Sequence, residues 1–331
     1  DMVAFTLLVG AGLVMRARPQ AHKRLILMGT LYISDAGFSR WLGDAAEALA
    51  GGGQGFTPTW ASLYLPNVVL VLAFGWIPWP SRTGGHWPRE TGYIIASGVC
   101  TAVIIPGTTL LYTLPISVMV AMVIMRGSII VISRLIDVVQ IQQGILKRKV
   151  YAEENWAVVF ALLAVGANLL PVPLAPWFEA NPAVAKMLGI DPAKLKGGFD
   201  FVHNPLAMWV LGAYILSYAV RLYLMNYFKN TRKGPADVDN RGYFALEQIA
   251  ASVTIFGAAG LIWLGVNLWG WSDPRLVMTH DTVQSPSVPA ILSGIPYGLV
   301  AFFSVFLFMF QGRTATFAGL VNRITSLLAG T

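Results

Sequence analysis

The sequence predicts an all-α, polytopic membrane protein of about ten transmembrane helices. Three observations carry this. Only 12% of the 331 residues are charged and 56% are hydrophobic, so the charged share is about half that of an ordinary soluble domain. The apolar residues gather in runs near the ~20 residues that cross a bilayer core. Basic residues collect on alternate connections between those runs, as the positive-inside rule requires.

The candidate spans, in order, are 2–15 (short), 25–49, 60–79, 91–112, 116–141, 156–177, 206–228, 245–269, 290–310 and 314–331. The second is the weakest, because Asp35, Arg40, Asp44 and Glu47 interrupt it. The connection at Thr113-Leu114-Pro115 is very short and makes a tight hairpin. The longest, 178–204, carries Asn181-Pro182, Asp191-Pro192, Gly197-Gly198 and Asn204-Pro205, all turn punctuation. Within it, Pro182–Met187 is expected to form a short surface helix.

Alternate loops hold fourteen Lys and Arg, from Arg16 to Arg313, against five in the opposite set. The first set is therefore assigned to the cytoplasm. Eleven Trp and eleven Tyr suit anchoring at the lipid interface. The chain divides into an N-terminal apolar segment, 1–24, a first membrane half, 25–177, an extramembrane linker, 178–204, and a second membrane half, 205–331. No basic n-region with a cleavage site opens the chain. It starts and stops in apolar runs, so a longer natural protein lacking its last helix here is the expectation.

Charge inside the spans is rare, and Arg126 is the deepest case. It lies about ten residues from either end of its run, where a guanidinium is costly unless it faces protein, water or a ligand. At 100° per residue, Arg126 and Asp137 share nearly one helix face, about three turns apart. Arg134 and Asp137 are an i,i+3 pair, expected to be a structural ion pair. Arg221 and Glu247 lie nearer span ends and are expected to snorkel. Met125-Arg126-Gly-Ser-Ile-Ile resembles Asn322-Arg323-Ile-Thr-Ser-Leu-Leu: each is an Arg followed by hydroxyl residues inside a span. The two spans are fifth and tenth, and an odd separation implies inverted halves, the architecture of many secondary transporters.

Other chemistries find little support. His22, His86, His203 and His280 fall in predicted loops, and two lone loop histidines such as His203 and His280 are expected to be solvated. No residue spacing matches a haem, zinc or phosphate-loop site, and Cys100 is the single cysteine. The expectation is no enzyme, no metal, no cofactor and no nucleic-acid partner. Gly107, Gly127, Gly166, Gly212, Gly257 and Gly260 read as helix-packing positions.

The stretch Leu114-Pro-Ile-Ser, Met125-Arg-Gly-Ser-Ile-Ile-Val-Ile-Ser-Arg134, Gly144-Ile-Leu-Lys-Arg-Lys-Val150 and Asn155-Trp-Ala-Val-Val-Phe through Gly166 resembles the drug/metabolite transporter superfamily, nearest its nucleotide-sugar-transporter-like branch. Residues 312–330 are similar to a late helix of such proteins. The resemblance covers residues 90–172 well and 205–331 loosely. It implies ten helices in two inverted five-helix repeats, alternating access, and a central cavity lined by Arg126, Ser128 and Arg323. The N-terminal Arg18-Pro-Gln-Ala-His-Lys-Arg departs from it and resembles small bacterial membrane proteins. Placing residues 25–49 as the family's first helix would fix the orientation.

The expected function is secondary transport of a polar, anionic small metabolite in a bacterial cytoplasmic (inner) membrane. Arg126 and Arg323 would supply charge, and Ser128 and Thr325 hydrogen bonds. The alternative is a non-catalytic scaffold or accessory subunit of a larger respiratory or photosynthetic complex. Expected partners are lipid, a small-molecule substrate, other membrane subunits or a second copy of the chain.

Overall fold

A computed structural model describes residues 67–69, 71–77, 90–114, 118–147, 150–187, 200–231, 239–284, 305–309 and 313–330. The protein is mostly helical, and among the described residues there is no strand. Its helices are α1 (Thr91–Thr113), α2 (Val118–Gln142), α3 (Ala152–Leu169), α4 (Ala175–Ala180), α5 (Pro182–Met187), α6 (Pro205–Thr231), α7 (Asn240–Trp269), α8 (Pro274–Gln284) and α9 (Ala315–Gly330). A 3₁₀ turn, Asp200–His203, precedes α6. The candidate spans at 2–15 and 25–49 lie outside the described residues, as do half of 60–79 and most of 290–310.

Among the described residues, three helices are long and apolar enough to cross a membrane: Thr91–Thr108 within α1, all of α6 and all of α7. At 1.5 Å per residue, 30-residue α7 exceeds the ~30 Å hydrocarbon core. These helices leave large apolar side chains outside the protein core. Trp209, Leu216, Val253 and Leu268 are each at least two-thirds exposed, an arrangement that water penalises and lipid does not.

The helix ends follow capping chemistry. Asp239 opens α7 by accepting from the Gly242 N–H at 2.8 Å, and Gly270, at φ +65°, closes it. Gly144, at φ +71°, ends α2, and the Ile145 N–H returns to the Gln140 carbonyl at 2.9 Å. Only glycine takes that left-handed conformation at no steric cost.

Contacts divide the chain into two compact units. Val103–Thr231 and Gly312–Arg323 form one, the α2 unit. The described remainder, including α7 and α8, belongs to the other, the α7 unit. Each unit draws chain from both sides of the 178–204 linker. The division falls in α1 between Ala102 and Val103, where Pro106 has no N–H to give the Ala102 carbonyl.

In the α2 unit, α2 is the central helix and packs on α3 and α6. Val131, Leu135 and Val139 line an exposed stripe, while Met125, Ile129, Ile130 and Ile136 are buried. Gly127 lies against Val165 of α3, and a Cβ there would come within 3.0 Å of it. At Gly319 a Cβ would come within 2.6 Å of the Ser133 hydroxyl, so α9 also packs closely on α2. In the α7 unit, Gly98 of α1 has no room for a Cβ beside Ala250 and the Glu247 carbonyl, both at 2.6 Å. Phe244, Phe306 and Trp76 form its aromatic core.

The structure corrects some expectations. A Cβ at Gly166, Gly212, Gly257 or Gly260 would meet nothing within 4 Å, so these glycines are not at close contacts among the described residues. The stretch 274–284, read as loop, is helix α8, and it folds back against α7. Its few apolar residues are too sparse to resemble a span, and His280 meets Asn267 of α7. The Pro182–Met187 helix forms within the bounds expected.

Candidate functional site

The α2 unit contains a buried polar cluster where α9 begins. Asp137 is 1% exposed. Its carboxylate accepts from the Ala315 N–H at 2.9 Å, the Thr316 N–H at 2.7 Å and the Thr316 hydroxyl at 2.5 Å. Thr314 is the N-cap: its hydroxyl oxygen accepts from the Phe317 N–H at 3.0 Å. A helix start leaves its first four N–H groups without intrahelical partners. Here those of Ala315, Thr316 and Phe317 are satisfied by two side chains, and the negative charge of Asp137 faces the positive end of the helix dipole.

The Thr314 hydroxyl in turn donates to Glu154 of α3 at 2.9 Å. Burial raises the Glu154 pKa above the usual glutamate value, and the neighbouring Asp137 charge adds to this. The Thr314 hydrogen bond, Arg313 and Arg134 oppose it. Lys229 of α6, buried, donates to the Arg313 carbonyl at 2.9 Å, and the Arg313 guanidinium lies 4.6 Å from the centre of the Phe317 ring. Gln140, also buried, donates to the Tyr223 carbonyl and accepts from Asn230. Together, α2, α3 and α6 hold the first turn of α9.

The residues singled out in the sequence fall as follows. Arg126 is half-buried, about a third of the way along α2. Ser128, also half-buried, donates to the Met125 carbonyl at 2.9 Å, and its oxygen retains lone pairs that can accept. Arg134 keeps one guanidinium nitrogen, Nη1, buried without a hydrogen-bond partner, while the Asp137 carboxylate is directed to α9. Arg323 and Thr325 lie on the α9 backbone, but their side chains fall outside the described residues.

A second polar site lies in the α7 unit. Glu247 was expected to snorkel; it is 0% exposed. The Ser97 hydroxyl donates to its Oε1 at 2.7 Å, and the Thr101 hydroxyl reaches the same oxygen at 3.2 Å. Tyr243 donates to the Ser97 hydroxyl at 3.0 Å. Beside it, Asn67 donates to Gln248 at 3.3 Å. Arg221, the other residue expected to snorkel, is also buried, in the α2 unit. The missed signal was spacing: Ser97 and Thr101 are i,i+4, as are Tyr243 and Glu247, so each pair forms a polar stripe on an otherwise apolar helix.

His280 is likewise not solvated. It is 8% exposed on α8, with Nδ1 3.0 Å from Asp281 and Nε2 near the Asn267 and Gln284 amides at 2.9 and 3.1 Å. His203 is exposed. Among the described residues, no group of three or more His, Cys, Asp and Glu is placed to hold a metal ion.

Compared with family models, characterised proteins and solved structures, the chain matches none.

Proposed function

We propose that this chain is an integral membrane protein of about ten helices in two inverted halves. It carries a polar, anionic small metabolite across a bacterial cytoplasmic membrane by alternating access. The observation that supports this best is the placement of Arg126 on α2 relative to α9. Asp137 meets α9 at Ala315 and Thr316, and Ser133 meets it at Gly319. Four residues toward the start of α2 therefore correspond to about four toward the end of α9, so the two helices run antiparallel. Four residues beyond Gly319, on the same face of α9, stands Arg323. This register puts it within about one turn, ~5 Å, of the level of Arg126.

Two guanidinium-bearing positions at one depth of a membrane protein make a place for an anion, because an organic phosphate or carboxylate offers the paired acceptor oxygens that the planar arginine fork engages. Ser128, two residues from Arg126 on α2, adds a hydroxyl group. The cost of holding Arg126 in the span is offset when an anion occupies the site.

Uptake of labelled organic phosphates and carboxylates into proteoliposomes tests this. Arg126→Ala should abolish uptake while the protein still inserts and purifies, and Arg126→Lys should restore part of it. Unchanged uptake in Arg126→Ala would sink the transporter reading. A wild-type protein that takes up none of these anions and co-purifies with other membrane subunits would favour the accessory-subunit reading.

A further inference from the structure

We propose that Arg134 anchors an oxoanion site, in which a carboxylate or phosphate group docks where α3 and α9 meet α2. Its guanidinium nitrogen Nη1 is buried without a hydrogen-bond partner. Among the described residues Arg134 forms no ion pair either. Buried donors left unfilled are rare, and each calls for an acceptor such as an ion or water. A charged donor sharpens that demand, because a buried charge without its counter-charge is more costly than a neutral group. Such a site does not require that the chain be a transporter.

The carboxylates around Arg134 are committed to other donors. Asp137, one turn further along α2, accepts from Ala315 and Thr316. Glu154, at the start of α3, feels the Arg134 charge, yet the hydrogen bond it accepts comes from Thr314. Arg134 follows Gly127 by two turns, so both leave α2 on nearly one face. Gly127 meets Val165 of α3, and Ser133, next to Arg134, meets Gly319 of α9. Two further basic side chains stand at the start of α9. Lys229 donates to the Arg313 carbonyl, and the Arg313 guanidinium lies over Phe317. Three basic groups against two engaged carboxylates make the local field favourable to an anion.

The position also suits an approach from outside the helices. Arg134 is half-buried and stands about two turns, ~12 Å, from the end of α2 at Gln142. From that depth a long arginine side chain reaches the interface between lipid and water. Its planar fork can then engage two oxygens of one carboxylate or phosphate. A soluble anion and the headgroup of an anionic lipid both carry this chemistry.

Thermal unfolding of the full chain in phosphatidylcholine bilayers provides the test. Arg126→Ala serves as the background, so that only a site apart from Arg126 reports. Inorganic phosphate, added at constant ionic strength with chloride as the control, should raise Tm as a ligand of the folded state. A rise with inorganic phosphate assigns the site to a free anion. A rise only when phosphatidic acid is mixed into the bilayer assigns it to a lipid headgroup. Arg134→Gln in the same background should lose the rise. Arg134→Lys keeps a charge without the fork, and should need about tenfold more anion for the same rise; it decides the matter if Arg134→Gln fails to fold. No rise with either anion overturns the proposal, as does a rise that Arg134→Gln retains. A rise present in the natural chain but absent from Arg126→Ala overturns it too, and leaves the transporter reading standing. An Arg134-dependent rise in a protein that takes up no labelled anion keeps this site and removes the transporter.

Discussion

Asp137 and Glu247 are both carboxylates buried on long apolar helices, yet their partners differ in kind. Asp137, in the α2 unit, is held largely by the backbone N–H groups of a helix start. Glu247, in the α7 unit, is held by side-chain hydroxyls. The first environment fastens the start of α9 to α2 by satisfying its backbone donors. The second ties side chains of α1 to α7. Burial alone does not say what a carboxylate holds; the elements that supply its donors do.

The largest effect that could break this contrast is expected at Asp137. Asp137→Ala leaves two buried N–H groups without their acceptor, at about 1–3 kcal/mol each. Thermal unfolding in detergent should show a large fall in stability. A variant as stable as the natural protein would show that α9 does not depend on this anchor.

Next come the glycines at the two helix contacts. Gly98→Ala drives a methyl against Ala250 and a main-chain carbonyl, neither of which can rotate away, and should cost about 1–3 kcal/mol. Gly319→Ala meets mainly the Ser133 side chain. The helix-propensity gain of about 1 kcal/mol for alanine over glycine offsets that clash, so its stability change should be smaller than that of Gly98→Ala. The reverse order in a denaturation series would mean that α1 and α7 are not fixed to one another at Glu247.

The smallest effect concerns Glu154. Its carboxyl has a raised pKa in the folded protein because burial disfavours the charge. A raised pKa means the folded state binds the proton more tightly than the unfolded chain. Its contribution is complete below the ordinary glutamate range and is lost as pH rises through the raised value. Glu154→Gln should flatten that part of the stability–pH curve. An unaltered slope would place the titration elsewhere.

Much of the helical framework was legible in the sequence. The runs at 91–112, 206–228 and 245–269 correspond to α1, α6 and α7 within a few residues, because continuous apolarity over that length has few other solutions. Proline and asparagine punctuation around 182–187 marked α5 for the same local reason. Helix α8 was not legible: His280, Asp281 and Arg275 give it the composition of a loop, and its helicity comes with docking on α7. The site was legible only in part. Arg126, Arg134 and Asp137 stood out as charges in apolar runs, and their shared face on α2 followed from helical periodicity.

Which partner each charge takes was a different matter. The i,i+3 spacing of Arg134 and Asp137 suggested a local pair, but the start of α9, 178 residues away along the chain, supplies the bonds to Asp137. Snorkelling seemed sufficient for Glu247 until α1 brought Ser97 and Thr101 against it. By itself, the sequence determined the all-helical class, the membrane-length helices and the positions of the buried charges, because these follow from hydropathy and local backbone preference. The tertiary structure decided that Asp137 takes the start of α9 and that Glu247 accepts from the Ser97 and Thr101 hydroxyls, because hydrogen-bond partners across helices are set by packing register, which no local pattern records.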